Sequence, residues 1–316
     1  MNDSRIPLHR FLGPRYWLLW LGLGLMRLVG LLPVALAMRL GRGLGRVMYR
    51  VLPKRRYVAE RNIEMIYPEL DSQKREQLVK DIFASLGLSV IETTWSWWAS
   101  DRRVHAMQHL EGMEHLEQAL AQGKGVILLT AHFTTLELTG RMLAKGNPAI
   151  FAMYRRHRNP LFEEIMRRGR ERSAPQIAKQ DVREMIRVLK RGKAVWYAPD
   201  QAFRGKMSTT ANFFGLPCST NTATSRMAGM TGAAVVPFLS MRLPGTGGYL
   251  VKLLPALENF PGDDIQADTQ RVNDLIESWI REVPDQYLWV HRRFKPEHEG
   301  MESLYKVNPH KKRTRR

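Results

Sequence analysis

The sequence predicts an α/β fold, a mixed sheet flanked by helices, preceded by a long apolar N-terminal segment. Two observations carry this. From residue 71 onward, short continuous apolar runs of strand length alternate with longer amphipathic stretches, the pattern of a sheet with helices on both faces. The 316 residues are 44% apolar and 25% charged, which suits one sizeable core or two small ones and excludes a collagen, a disulfide scaffold or wholesale disorder.

Taken in order, the elements follow from period and punctuation. Residues 16–38 hold a single charge, Arg27, and as one helix would cover roughly 34 Å, enough to cross a hydrocarbon core. Trp17 and Trp20 lie near one end, as interfacial anchors do. The expectation is a retained N-terminal membrane-anchoring helix. A buried amphipathic helix and a cleaved signal peptide ending near Ala35-Leu36-Ala37 are the competing readings. Asp71-Ser72 opens a helix over 74–98, with Leu78, Ile82, Phe83, Leu86, Val90 and Ile91 at helical spacing. A short helix over 114–121 ends at Gly123. Residues 125–130 form an apolar run that suits a strand buried on both faces. Helices follow over 133–144, 160–172, 181–190, 220–229 and 269–281. Strands follow over 149–153, 194–198, 233–241, 249–254 and 287–291, with 233–241 and 249–254 paired as a hairpin.

Charge divides the chain. Residues 1–56 carry 11 Lys/Arg and one acid, and residues 306–316 carry 6 Lys/Arg and none. The rest, with 32 basic and 29 acidic residues, is nearly neutral. The organisation expected is therefore an anchor and basic flank over 1–56, a folded catalytic domain over 57–305, and a basic tail over 306–316. A neutral body with basic ends, one of them around the most apolar stretch, points to an anionic membrane surface. A nucleic-acid binder would carry its charge on the folded body. Basic residues crowd after the apolar segment, which places the body on the cytoplasmic side. The single cysteine, Cys218, excludes an intrachain disulfide and fits a reducing compartment.

Sites in open α/β sheets gather at the carboxyl ends of strands. His132 follows the strand ending at Thr130, and Asp200 follows the one ending at Ala198. His132 with Glu137 five residues later is a His-x4-Glu pattern; His109 and Glu114 match it too, but no strong apolar run precedes His109. Acylating an alcohol needs a base to take the hydroxyl proton, and neutral imidazole does this near pH 7. A carboxylate on the other ring nitrogen fixes the tautomer, and Glu137 is expected in that role. A structural N-cap or core histidine is the competing reading. The sequence has no Gly-x-Ser-x-Gly elbow, so direct transfer without an acyl-enzyme is preferred. It has no His-Glu-x-x-His run or Cys/His cluster, so no metal and no cofactor is expected.

His132-Phe133-Thr134-Thr135-Leu136-Glu137 after a buried strand resembles the His-x4-Asp/Glu motif of glycerolipid-type acyltransferases. Further runs point to one branch: Arg61-Asn62-Ile63, Tyr67-Pro68-Glu69, Met153-Tyr154-Arg155, Val195-Trp196-Tyr197-Ala198-Pro199-Asp200 and Gln286-Tyr287-Leu288-Trp289-Val290-His291-Arg292-Arg293-Phe294. Over roughly residues 10–305 the chain resembles the late acyltransferases of lipid A biosynthesis, of the lauroyltransferase type. The resemblance implies an acyl donor on acyl carrier protein and a Kdo-bearing lipid A precursor as acceptor. It implies an enzyme of the inner membrane, facing the cytoplasm. It implies catalytic roles for His132 and Glu137. It gives substrate-binding roles to Arg170 and Asp200, with Asp200 positioning a hydroxyl or Arg170 itself. The motif ends here in Glu137 rather than Asp, and the basic tail lies outside what the resemblance covers. The alternatives are an acyltransferase for another chain length or a glycerophospholipid acceptor, a hydrolase using the same histidine, and a membrane-tethered basic protein that binds lipid or nucleic acid.

Overall fold

The apolar N-terminal segment folds as two helices, α1 (Trp17–Leu31) and α2 (Val34–Val51). Pro33 separates them. It caps α2 from outside the helix, and Leu32 before it is extended, with φ −64° and ψ 157°. A proline cannot donate to the preceding turn and pushes the residue before it out of the helical region. The expectation of one membrane-crossing helix over 16–38 is thereby corrected. The 15 residues of α1 reach about 22 Å at the helical rise, short of the ~30 Å a bilayer core requires. The computed structural model describes residues 5–147, 149–295 and 304–305. Among these residues no helix is long and apolar enough to cross a membrane. The basic tail over 306–316 lies outside them.

Helices α3 (Pro53–Ile66) and α4 (Ser72–Trp98) follow. Asp71 caps α4 by accepting a hydrogen bond from the Lys74 amide at 2.8 Å, the N-cap expected from the sequence. Helix α2 crosses α4 backbone to backbone. A β-carbon on Gly45 would meet the Phe83 carbonyl oxygen at 2.2 Å, and one on Gly87 would meet the Gly41 oxygen at 2.1 Å. Glycine is what lets the two helices touch so closely, as small residues do at tight helix crossings. The N-terminal helices are thus built onto the domain, and the boundary expected at residue 56 falls inside α3.

The remainder runs α5 (Asp101–His105), β1 (Gln108–Glu111), α6 (Met113–Ala121), β2 (Val126–Leu129), α7 (Leu136–Ala144), β3 (Ile150–Tyr154) and α8 (Pro160–Arg170). Then come β4 (Gln176–Ala178), α9 (Val182–Lys190), β5 (Ala194–Tyr197), β6 (Ser208–Phe213), β7 (Leu216–Asn221), α10 (Ala223–Thr231), β8 (Ala234–Arg242), β9 (Tyr249–Leu253) and α11 (Ile265–Glu282). Seven strands form one sheet in the order β1-β9-β8-β2-β5-β3-β4, while β6 and β7 form a separate hairpin. All neighbours in the large sheet are parallel except β8 and β9, which pair antiparallel as the expected hairpin.

Strand β2 is central and completely buried, which is why its sequence is a continuous apolar run. Ile127 and Leu129 face one core with Met185, Val195, Tyr197 and Met227. Val126 and Leu128 face the other with Leu138, Met142, Ala152 and Trp95. Two expectations need adjustment. The segment at 287–291 is no strand: Tyr287 makes a single antiparallel bridge to Phe133, and the chain then turns, with the Trp289 amide on the Tyr287 carbonyl at 2.8 Å. Helix α7 begins at Leu136, three residues late, because the residues after β2 turn over the sheet edge first.

Candidate active site

That turn sets the position of His132. The Thr130 amide bonds the Tyr197 carbonyl at 3.0 Å and closes β2 against β5. The Thr134 amide then donates to the Gln286 carbonyl at 2.7 Å, and the Leu288 amide to the His132 carbonyl at 3.0 Å. The 287–291 segment is fixed in turn by Asn62 of α3, whose side-chain amide donates to the carbonyls of Trp289 (2.6 Å) and His291 (3.0 Å). Residues far apart in sequence thereby hold one histidine at the carboxyl edge of the sheet, where its ring lines a cavity of about 510 Å³.

The carboxylate on that ring belongs to Asp200, not to Glu137. His132 Nδ1 lies 2.6 Å from Asp200 Oδ1, and the His132 amide donates to Oδ2 at 3.1 Å. The Tyr287 hydroxyl donates to the same Oδ2 at 2.9 Å. Strand pairing explains the meeting: β2 and β5 are parallel neighbours in register, so the residues just beyond their carboxyl ends are adjacent. Asp200 is only 1% exposed, whereas the His132 side chain is 30% exposed toward the cavity. Burial alone would lower the His132 pKa; the charge of Asp200 and its hydrogen bond outweigh this and hold it above the ordinary histidine value. Burial likewise pushes Asp200 up, but the imidazole's charge, the two His132 hydrogen bonds and the Tyr287 hydroxyl keep it below the usual carboxylate range. An ionised Asp200 requires the proton on Nδ1, which leaves Nε2 free to act as the base.

Glu137, in the first turn of α7, points across the cavity. It takes a forked bond from Arg170, with Nε at 2.9 Å from Oε1 and Nη2 at 2.6 Å from Oε2. The Trp97 indole donates to Oε1 at 2.6 Å. Burial raises the Glu137 pKa, but the Arg170 charge and these hydrogen bonds hold it low. The pairing of Glu137 with His132 expected from the motif is therefore replaced by two pairs on one cavity, His132–Asp200 and Glu137–Arg170. Arg170 meets Glu137, and the notion that Asp200 positions Arg170 is not what the geometry gives. Two residues of the site carry no spacing signal in the sequence: Tyr287, which bonds Asp200, and Trp97, which bonds Glu137 from a tryptophan-rich helix end.

The cavity draws its lining from α7, α8 and Trp196 of β5, and also from Met185 of α9, Met227 and Met230 of α10, and Met207 before β6. Arg155 and Lys179 stand among its polar lining. The second His-x4-Glu match is elsewhere, since His109 lies exposed on β1 with its Nε2 on the Gly247 carbonyl at 2.9 Å. Cys218 is buried in the β6–β7 hairpin, its thiol raised above the ordinary value by burial, and takes no part in the cavity.

The sequence model of the bacterial lipid A biosynthesis acyltransferase family matches residues 7–296. The chain belongs to this family, and it is an acyltransferase. It is 38% identical to the lipid A biosynthesis lauroyltransferase of Escherichia coli K12 over 93% of this chain and 96% of that protein. It is 37% identical to the palmitoleoyltransferase of the same strain, over 93% and 96%. With that strain's myristoyltransferase it shares 24%, over 94% and 92%. The two relatives of near-equal identity are named for different chains, so identity does not select the acyl group.

Proposed function

We propose that this acyltransferase moves a fatty acyl chain, laurate, from acyl carrier protein to a hydroxyl of a Kdo-bearing lipid A precursor, at the cytoplasmic face of the bacterial inner membrane. The observation that carries the reading is the His132–Asp200 pair at the wall of a cavity that is also lined by Arg170 and by several methionines. The acceptor hydroxyl oxygen attacks the donor thioester carbonyl. Its proton passes to His132 Nε2, the C–O bond forms, and the C–S bond breaks, the leaving thiolate taking the proton back from the imidazolium. Asp200 steadies that imidazolium. Arg170, clamped by Glu137, turns a fixed positive charge toward the cavity, where it favours the oxyanion or the acceptor's anionic groups. The methionines in the lining offer an acyl chain an adaptable apolar surface.

The N-terminal helices support placement against a membrane surface without crossing it. Trp17, Leu18, Leu21, Leu25, Leu28 and Leu31 leave one face of α1 exposed and apolar, and Leu36, Leu40, Leu44, Val47 and Val51 do the same on α2. Faces of this kind lie in the plane of the interface. The buried side of α1 packs through Leu23 with Trp97, Tyr154 and Leu161 in a third core cluster, and Tyr154 also lines the cavity. In the deciding experiment, purified wild-type and His132→Ala protein receive acyl carrier protein loaded with chains of graded length and a tetra-acylated Kdo-bearing precursor. Mass spectrometry is expected to find one added lauroyl group, absent with the variant. A different added chain would keep the mechanism and change the donor; no added mass in wild type would overturn the acceptor.

A further inference from the structure

A second cavity, of about 890 Å³, opens between α2, α4 and the turn after β8. Its charged lining consists of Arg42, Arg46, Arg50, Lys80 and Arg242 with Asp81 and Asp285. The acids hydrogen-bond neutral groups and keep their charge: Asp81 accepts from the Gln77 side-chain amide at 3.0 Å and Asp285 from the Ser85 hydroxyl at 2.8 Å. Lys80 pairs with Glu76 at 2.8 Å, and Arg242 with the buried Glu92 at 2.6 Å. Among the described residues, Arg42, Arg46 and Arg50 have no ion-pair or hydrogen-bond partner. Three guanidinium groups without direct partners against two carboxylates leave the lining net positive, and an anion with several acceptor oxygens can take the guanidinium donors directly.

We propose that this cavity holds the phosphate headgroup of an anionic membrane phospholipid. The occupant is indicated by what lies beside the arginines. Four residues apart, Arg42, Arg46 and Arg50 form a row along α2. The exposed apolar row Leu36, Leu40, Leu44, Val47 and Val51 runs along the same helix, roughly a third of a turn away at 3.6 residues per turn. A helix sunk in the interface by the leucine row brings the arginine row to headgroup level. The glycine crossing with α4 fixes both rows relative to the domain, so the headgroup contact sets the tilt of the protein on the bilayer. The proposal rests on the membrane-surface reading above and adds a site to it.

The test uses full-length protein and sedimentation with vesicles of phosphatidylcholine alone or mixed with phosphatidylglycerol, at fixed salt. Arg42→Gln/Arg46→Gln/Arg50→Gln is compared with Lys311→Gln/Lys312→Gln/Arg313→Gln, which removes equal charge from the tail. The cavity variant is expected to lose about tenfold or more of its partitioning to the anionic vesicles. It should bind neutral vesicles as wild type does, and the tail variant should lose less. Equal losses in both variants, or an unchanged preference in the cavity variant, would overturn the site while leaving membrane binding intact. No binding of wild type to either vesicle would overturn the membrane reading as well. In a parallel titration with holo acyl carrier protein, a loss of binding confined to the cavity variant, without change on vesicles, would assign the cavity to an acidic protein and reject the lipid.

Discussion

His132 was legible because it is the first ring after a buried apolar run, at the sheet edge where sites gather. Its partner was not. Glu137 is close in sequence, but α7 begins only at Leu136, and its first turn directs Glu137 at Arg170 and Trp97. Asp200, 68 residues from His132, becomes its neighbour only through the pairing of β2 with β5, which spacing does not report. The geometry gives Asp200→Asn a defined signature. Losing the carboxylate removes what holds the imidazole pKa up and leaves burial, which lowers it. The base is active when neutral, so in wild type kcat/KM should rise with pH through a value above that of an ordinary histidine. In Asp200→Asn this limb should move to lower pH, while the plateau falls by up to about ten-thousandfold, as when a catalytic histidine loses its carboxylate. A pH profile on both proteins checks this; an unmoved limb would mean that the titrating group is not His132.

At the scale of elements, the strongly periodic segments were readable and the dependent ones were not. Helix α4 and strands β2, β5 and β8 carry their own pattern. Strands β1 and β4, with four and three residues, have too little sequence to show a period, and the 287–291 segment looks like a strand but is shaped by Asn62 and by the ring packing of Tyr287 on Trp289, with centroids 4.8 Å apart. The apolar run over 16–38 showed hydropathy but hid its break, because Pro33 acts on the backbone and adds no charge. The α2–α4 crossing is a contact that only backbone proximity reveals. Gly87→Ala places a β-carbon against the Gly41 carbonyl, and neither helix backbone can yield as a flexible side chain would. The variant should be about 1–3 kcal/mol less stable, in the range of overpacked cores, and should show it as a lower thermal midpoint. An unchanged midpoint would mean that α2 slides on α4 freely.

For the whole molecule, the sequence conveyed a neutral body with basic ends and an apolar leader, and the structure converts that leader from a tether into a wall of the domain. The difference matters for how a lipid reaches the site. A tethered domain could turn any face to the bilayer; on the proposed membrane-surface reading, a domain whose α1 and α2 are packed on α4 would present the one face that these helices form. On that reading, bilayer contact would depend on side chains that contribute little to the fold, since Leu18 is 82% exposed and Leu21, Leu25 and Leu28 are each more than half exposed. Converting Leu18, Leu21, Leu25 and Leu28 to serine should therefore leave the thermal midpoint near that of wild type. Partitioning into neutral vesicles should fall at least about tenfold, because each leucine withdrawn from water contributes about 1.5–3 kcal/mol when fully buried. Transfer to a vesicle-embedded acceptor should fall with it, while transfer to a detergent-dispersed acceptor persists. If the serine variant bound neutral vesicles as wild type does, the bilayer would contact another surface. If it lost detergent-phase activity equally, α1 would be acting on the cavity itself through Trp97 and Tyr154, and orientation on the membrane would not be its role.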